Sequence, residues 1–203
     1  LKTDYVDLIY LHHCNFGKNE KYLDGALETV ARFKEEGKTR FIGVSDWDLF
    51  KIMRFIKKIN PDVVQLYRNL FEDNYRISGL KKYAENNNLG VCFFSPLMHG
   101  ALTGKYNGPQ IFPEGDFRKN VSAFKDRDII SMFKKNAERL RKRFPLHKNP
   151  VMHGIVDPLV FDSKNSCVLL GQRNALQVSQ ASTLGRVVDK NDIDWIKSLY
   201  RKR

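Results

Sequence analysis

Several of the residues best suited to chemistry stand where apolar runs end. Tyr5 to Leu11 is rich in strand formers and leads into His12 and His13. Thr39 to Val44 leads into Ser45-Asp46, Val63 to Tyr67 contains Gln65, and Val91 to Phe94 leads into Ser95-Pro96. A histidine at such a position is a candidate proton carrier or hydrogen-bond donor, although many strand-end histidines are structural. A glutamine inside a valine-rich strand needs a polar partner. Ser45 and Gln65 together offer donors and acceptors, whereas an ionised Asp46 only accepts. Asp46 has a second reading, as the N-cap of the helix after Trp47. Further on, Gly171-Gln172-Arg173-Asn174 opens a helix. A helix N-terminus favours anions and arginine grips phosphate through two parallel hydrogen bonds, so Arg173 is a candidate phosphate contact or a plain solvated arginine.

These side chains must be positioned by alternating elements. Gly90 precedes a short apolar strand, Val91–Phe94, and Pro96, which lacks an N–H, stops it. The loop beyond carries Gly100, Gly104 and Lys105 and is suited to fold over an anion. Leu23, Ala26, Leu27, Val30 and Phe33 recur at helical spacing within Tyr22–Glu36, with Gly37 as the stop. Asp48 caps a second helix whose apolar residues are Leu49, Ile52, Met53, Ile56 and Ile59, with Pro61 beyond its end. Leu80–Glu85 is a short helix, residues 107–121 a long loop, and Ser122–Phe144 one helix with a stripe of Ile129, Phe133, Ala137, Leu140 and Phe144. Cys167–Leu170 is a fifth strand, followed by helices over Asn174–Ala181 and Asp192–Tyr200. The connections are too long for hairpins, which predicts parallel strands with helical crossovers. Five such strands fit either a doubly wound sheet or part of a barrel.

A chain of 203 residues fits one domain with a sizeable core. No apolar run is long enough to span a bilayer, so a cytoplasmic protein with no membrane partner is expected. Cys14, Cys92 and Cys167 have no metal or redox spacing, which predicts buried, reduced thiols and no metal ligand set. The net charge of +12 concentrates at Lys134-Lys135, Arg139, Arg141-Lys142-Arg143, Lys148 and Arg201-Lys202-Arg203. No interleaved aromatic motif accompanies it, so a solvated helix face is favoured over nucleic-acid binding.

The stretch Phe93-Phe94-Ser95-Pro96-Leu97-Met98-His99-Gly100-Ala101-Leu102-Thr103-Gly104-Lys105-Tyr106 resembles the aldo-keto reductase segment after the seventh barrel strand. Four other stretches resemble the same family in order: Thr3 to Leu8 through His12, Gly37-Lys38 to Ser45, Val63 to Gln65 with Asn69-Leu70-Phe71, and Leu170 to Asn174. The likeness thins between Phe124 and Ser166. It implies an α/β chain that is a partial (β/α)8 TIM barrel, strands four to eight with their helices. Residues 1–203 would then be a single domain, incomplete at its N-terminus, with unpaired edges at the first and fifth strands.

The resemblance implies an NADPH-dependent oxidoreductase acting on a small aldehyde or ketone. His12 falls on the histidine that orients the substrate carbonyl. Ser45, Asp46 and Gln65 fall on positions that hold the nicotinamide carboxamide, with Asp46 where Asn is common. Phe94 falls on the aromatic residue stacked on the nicotinamide. Ser95, Leu97 and His99 face the pyrophosphate, His99 standing where Arg is frequent, and Lys105 belongs to the loop closing over the dinucleotide. Arg173, with Gln177 and Gln180 on the following turns, falls on the adenosine 2′-phosphate region, and Ala181 replaces an asparagine that contacts adenine. Substrate-pocket walls would come from residues 14–21 and 107–121. The family's proton-donating tyrosine, with its aspartate and lysine, lies on strands to which no residue here can be matched. Two alternatives stand beside a reductase: a cofactor-binding but non-catalytic module of the same family, like the channel-associated β subunits, and a basic interaction protein.

Overall fold

Among the described residues, largely apolar runs form five strands: β1 Val6–His12, β2 Thr39–Asp46, β3 Val63–Tyr67, β4 Gly90–Phe94 and β5 Ser166–Val168. The structure, a computed structural model, describes residues 2–201; Leu1 and the basic Lys202-Arg203 lie outside the described residues. The strands form one sheet in the order β1-β2-β3-β4-β5. The pairs β1–β2, β2–β3 and β3–β4 are parallel. β5 lies beside β4, where the Val91 N–H donates to the Asn165 carbonyl at 2.8 Å. The order never reverses, so the sheet lacks the switch point of a doubly wound fold. β1 and β5 are its edges, as expected. The expected fifth strand, Cys167–Leu170, lies one to two residues earlier, at Ser166–Val168.

The chain divides into two compact units. The first comprises the residues through Arg68, Asp73–Phe94 and Ser163–Cys167; the second comprises Asn69–Glu72, Ser95–Asp162 and the residues from Val168 on.

In the first unit the helices are α1 Leu23–Glu35, α2 Leu49–Ile59, α3 Asn74–Ile77 and α4 Leu80–Asn86. α2 shows how local the determinants are. Asp48 accepts from the N–H groups of Phe50 and Lys51 at 3.0 and 3.3 Å, and Asn60 ends the helix in the left-handed region at φ 47°. Its buried residues are Leu49, Ile52, Phe55, Ile56 and Ile59, so Phe55 takes the core place assigned to Met53. Asp48, not Asp46, is therefore the cap. One face of the sheet presents Val44, Val64, Leu66, Val91 and Phe93, all buried.

Strand alternation puts Tyr10, Gly43, Ser45, Gln65, Cys92 and Phe94 on the other face. Here the Tyr10 ring lies against Gly43, and its hydroxyl reaches Cys92 Sγ at 3.5 Å. Tyr10 is on the first strand and Cys92 on the fourth, which a flat sheet would separate by roughly 14 Å at the backbone. The contact requires a sheet curled toward this face. A Cβ on Gly43 would lie 2.5 Å from the Tyr10 ring. Gly43→Ala is expected to lower stability by about 1–3 kcal/mol through overpacking. Thermal denaturation checks this, and an unchanged Tm would show that the ring is free to move aside.

The second unit holds α5 Arg127–Arg143, α6 Pro150–Val160, α7 Ala175–Ala181 and α8 Lys190–Tyr200. The single helix expected from Ser122 is broken. Ser122–Lys125 is a 3-10 turn, and Asp126 then caps α5 by accepting from the N–H groups of Asp128 and Ile129 at 2.9 and 3.0 Å. The cap sets a register that buries Ile130, rather than Ile129, with Phe133, Asn136, Ala137 and Leu140. Asn136 is satisfied by donating to the Leu199 carbonyl at 2.8 Å. Lys134, Lys135, Arg139, Arg141, Lys142 and Arg143 are exposed.

Nothing local in the sequence predicts α6. It contains Gly154 and Pro158, and residues 153–159 are all buried, so it shows neither helix-forming composition nor an amphipathic period. Gly154 sits against Leu140 of α5, where a Cβ would lie 2.3 Å from the leucine side chain. Fully buried Asp157 meets His153 Nδ1 at 2.6 Å and accepts from the N–H groups of Gly185 and Arg186 at 2.9 and 3.3 Å. It thereby holds residues 185–186 onto α6.

The cysteines depart from expectation. Cys14 is buried, but Cys92 is only partly covered and Cys167 is exposed. The reason is that β5 is a three-residue edge strand with a neighbour on one side.

Candidate active site

In the first unit, the parallel registers place four polar residues on one rung: His12 beside Ser45, Ser45 beside Gln65, and Gln65 beside Cys92. Gln65 Nε2 donates to Ser45 Oγ at 3.3 Å, the partner that a glutamine in this strand required. The arrangement leaves the Ser45 hydroxyl proton and Gln65 Oε1 as one donor and one acceptor, which complement a carboxamide. Ser45 is buried, Gln65 half-buried and His12 exposed at the strand end. The His12 ring lies 4.1 Å from that of His13, centroid to centroid.

Asp46 is the next residue along β2 and is buried. Its Oδ2 accepts from the Cys14 N–H at 2.7 Å and its Oδ1 from the Asp48 N–H at 2.9 Å. Burial opposes its ionisation, but these two backbone donors, with Lys51 and His13, hold its pKa below the ordinary carboxylate value. Asp46 thus ties the turn after β1 to the turn before α2 and steadies both flanks of the rung.

Beyond the rung, Trp47, Tyr67 and Phe94 form an aromatic cluster. Trp47 stands 5.1 Å from Tyr67 and 4.8 Å from Phe94, and Tyr67 is 5.9 Å from Phe94. Of these three rings, the family motif marks Phe94 alone. Tyr67 was findable, because it lies two residues after Gln65 and so shares its face; Trp47 depends on the turn geometry after β2.

In the second unit, Ser95, Met98 and His99 have φ of 57°, 48° and 53°, and Gly100 and Gly104 also lie in the left-handed region. Such strained backbone clusters at ligand-holding segments. Leu97 precedes a kinked 3-10 turn, Met98–Thr103. Lys105 folds back so that its Nζ would be 3.5 Å from a Cβ on Gly100. The His99 ring is half-buried and 5.1 Å from Phe117. Burial first, then the Arg118 charge, lower its pKa against the opposing pull of Asp116, so it carries no permanent charge.

The loop over 107–121 is not without structure of its own. It contains a 3-10 turn, Phe117–Asn120, braced by Arg118 on Asp116 with Nε at 3.0 and 3.1 Å from the two carboxylate oxygens. The Arg118 hydrogen bond, then the Arg118 backbone N–H, pull the Asp116 pKa down to about 2, and the Arg173 charge adds to this. The folded pKa lies below the unfolded value of about 3.9. This contribution to stability is therefore fully present above pH 4 and is lost as pH falls through 2. An NMR titration is expected to find Asp116 ionised at pH 3; a midpoint near 4 would show that the brace does not form.

Arg173 is exposed. Its backbone N–H donates to Gln177 Oε1 at 2.7 Å, and the Gln177 N–H donates to Asn174 Oδ1 at 3.0 Å. Gln177 is therefore occupied in capping α7, and Gln180 follows one turn on, partly buried. α7 has only seven residues, so the Arg173 side chain rather than a helix dipole must supply attraction for phosphate. Among the described residues, His147, His153 and Asp157 bring potential donor atoms within 4.8 Å of one another. His147 Nδ1 accepts from the Asn149 N–H, and Asp157 is engaged as above, so the group acts as a hydrogen-bonded brace. No helix among the described residues is long and apolar enough to cross a membrane.

A sequence profile of the Aldo/keto reductase family matches residues 1–201. The chain belongs to the aldo/keto reductase family. Among curated relatives of this family chain, aldo-keto reductase yakc (NADP(+)) of Schizosaccharomyces pombe is 32% identical over 144 residues, covering 70% of the chain and 40% of the relative. L-galactose dehydrogenase of Arabidopsis thaliana is 29% identical over 125 residues, covering 60% and 39%. The matches thus span about two fifths of these relatives' length. Among solved structures, the glycerol dehydrogenase AKR11B4 from Gluconobacter oxydans superposes with a TM-score of 0.81 at 22% identity, over 98% of this chain and 59% of that one. Aldo-keto reductase AKR11C1 from Bacillus halodurans, in its holo form, gives 0.66 at 20%, over 98% and 62%. These likenesses show that the fold is shared.

Proposed function

We propose that this chain forms the cofactor-holding, C-terminal part of an NADPH-dependent aldo-keto reductase that reduces aldehydes or ketones in the cytoplasm. In this reading residues 1–203 are one domain, a partial (β/α)8 barrel comprising strands four to eight. The observation that carries it is the His12–Ser45–Gln65 rung, with its matched donor and acceptor, at the C-terminal end of a curled parallel sheet. Family membership supports the reaction class, and the sequential strand order supports the barrel.

NADPH, when bound, supplies the hydride. Ser45 and Gln65 hold the carboxamide, with Asp46 fixing the turns around them. Phe94 offers a flat face that selects one side of the nicotinamide, and Trp47 and Tyr67 support it. Ser95, Leu97, His99 and Lys105 line the pyrophosphate path, and Lys105 supplies the charge that neutral His99 lacks. Arg173, steadied by Gln177 and followed by Gln180, reads the 2′-phosphate. His12 donates a hydrogen bond that orients the carbonyl oxygen. Tyr10 shares its face but is a poor acid: burial, then its hydrogen bond with Cys92, raises its pKa well above the ordinary tyrosine value.

Titration of the protein with NADPH and NADH, followed by quenching of tryptophan fluorescence, tests the reading. Arg173→Ala is expected to weaken NADPH by roughly 10- to 100-fold, the loss of one charge-assisted phosphate contact, and to leave NADH unchanged. Equal loss for both nucleotides would remove Arg173 from the 2′-phosphate.

A further inference from the structure

Two thiols meet on the face that carries the rung. Cys92 is beside Gln65 in register, and Cys167 stands on the neighbouring edge strand β5. Their Sγ atoms are 3.2 Å apart although the residues are 75 positions apart in sequence. Both are free, Cys92 partly covered and Cys167 exposed. A disulfide brings its sulfurs to about 2.05 Å, so closing the bond takes an approach of about 1 Å between side chains on adjacent strands. Cys14, the remaining cysteine, is buried; burial, then Asp46, push its pKa up to about 12.

We propose that Cys92 and Cys167 form a modification site, a reversible disulfide closed by hydroperoxides that joins the edge strand β5 to β4 at the Ser45–Gln65 rung. Exposed Cys167 reacts first. Its thiolate attacks a peroxide oxygen; the S–O bond forms, the O–O bond breaks, and the leaving hydroxide takes up a proton. Cys92 then attacks the sulfenic sulfur; the S–S bond forms, the S–O bond breaks, and hydroxide leaves with the Cys92 proton as water. Two sulfurs lose two electrons in all and the peroxide gains them, so hydrogen peroxide yields two waters. Proximity makes the second step intramolecular, which intercepts the sulfenic acid before further oxidation. Burial, then the hydrogen bond with Cys92, push the Cys167 pKa up to about 11, so thiolate is scarce at neutral pH. The first step is accordingly slow there and accelerates about tenfold per pH unit up to pH 9.

The test treats the protein with hydrogen peroxide at pH 7, 8 and 9, counts thiols, and maps disulfides by mass spectrometry. The expected result is loss of two of the three thiols, a Cys92–Cys167 linked peptide restored by dithiothreitol, and an intact Cys14 thiol. Cys92→Ser and Cys167→Ser are each expected to abolish the internal bond, but the wild-type map decides even if a variant fails to fold. The proposal is overturned if both thiols persist at pH 9, if Cys167 ends as a sulfinic acid with Cys92 unlinked, or if Cys167 instead joins two chains. None of these outcomes depends on the cofactor assignment.

Discussion

Fusing this chain to three N-terminal strands from a related reductase is expected to raise carbonyl reduction by about 10²–10⁴ over the chain alone, the usual contribution of a positioned general acid. His12 stands at the end of the rung and can hold a carbonyl oxygen, but holding is only half of the task. The alkoxide must be protonated as hydride arrives, and Tyr10 is held by Cys92 and shifted away from acidity. The rung also borders an incompletely covered sheet face, where water weakens any electrostatic stabilisation. NADPH absorbance with a panel of aldehydes measures the effect. Turnover by the chain alone, abolished by His12→Ala, would overturn the expectation and reveal a proton donor among these residues. A chimera that binds NADPH yet gains no activity would instead discard His12 as the carbonyl-orienting group.

Asp157→Ala is expected to produce the largest loss of stability among single substitutions in the second unit, about 3–5 kcal/mol. The carboxylate is fully buried and serves the His153 ring and two backbone N–H groups. Truncation leaves the buried His153 ring without its partner, which costs about 1–3 kcal/mol, and frees the exposed Gly185–Arg186 segment from α6. For a chain of this size that corresponds to a fall in Tm of roughly 6–20 °C. Asp157→Asn keeps one acceptor oxygen and is expected to fall between. A shift below about 2 °C for Asp157→Ala would show that residues 185–186 relax to other partners and that the brace is dispensable.

Both predictions use features with very different visibility in the sequence. Asp48 as a cap, the end of α2 at Asn60 and the polar partner demanded by Gln65 were legible, because caps, breakers and period-two alternation act within a few residues. The break at Asp126 was available in principle: an aspartate two and three residues before helical N–H groups is a cap signal, but a continuous apolar stripe masked it. α6 was not available, because burial on all sides erases the periodicity from which helices are read, and packing against Leu140 outweighs the penalties of Gly154 and Pro158. The family motifs supplied residue roles but not their engagements. Gln177 is occupied in capping, Asp46 in bracing two turns, and His99 in a half-buried place beside Phe117 where burial and the Arg118 charge lower its pKa.

By itself, the sequence determined the alternation of strands and helices, the parallel sense of the sheet, the family, and the polar residues that end its apolar runs. These follow from side-chain periodicity, turn chemistry and motif order, all local along the chain. Only the tertiary structure decided the neighbour order of the strands, the register that puts His12, Ser45, Gln65 and Cys92 on one rung, the curl that carries Tyr10 to Cys92, and the meeting of Cys92 with Cys167. Those features depend on which distant segments share a buried face, and a one-residue change of register would send every one of these side chains to the opposite side of the sheet.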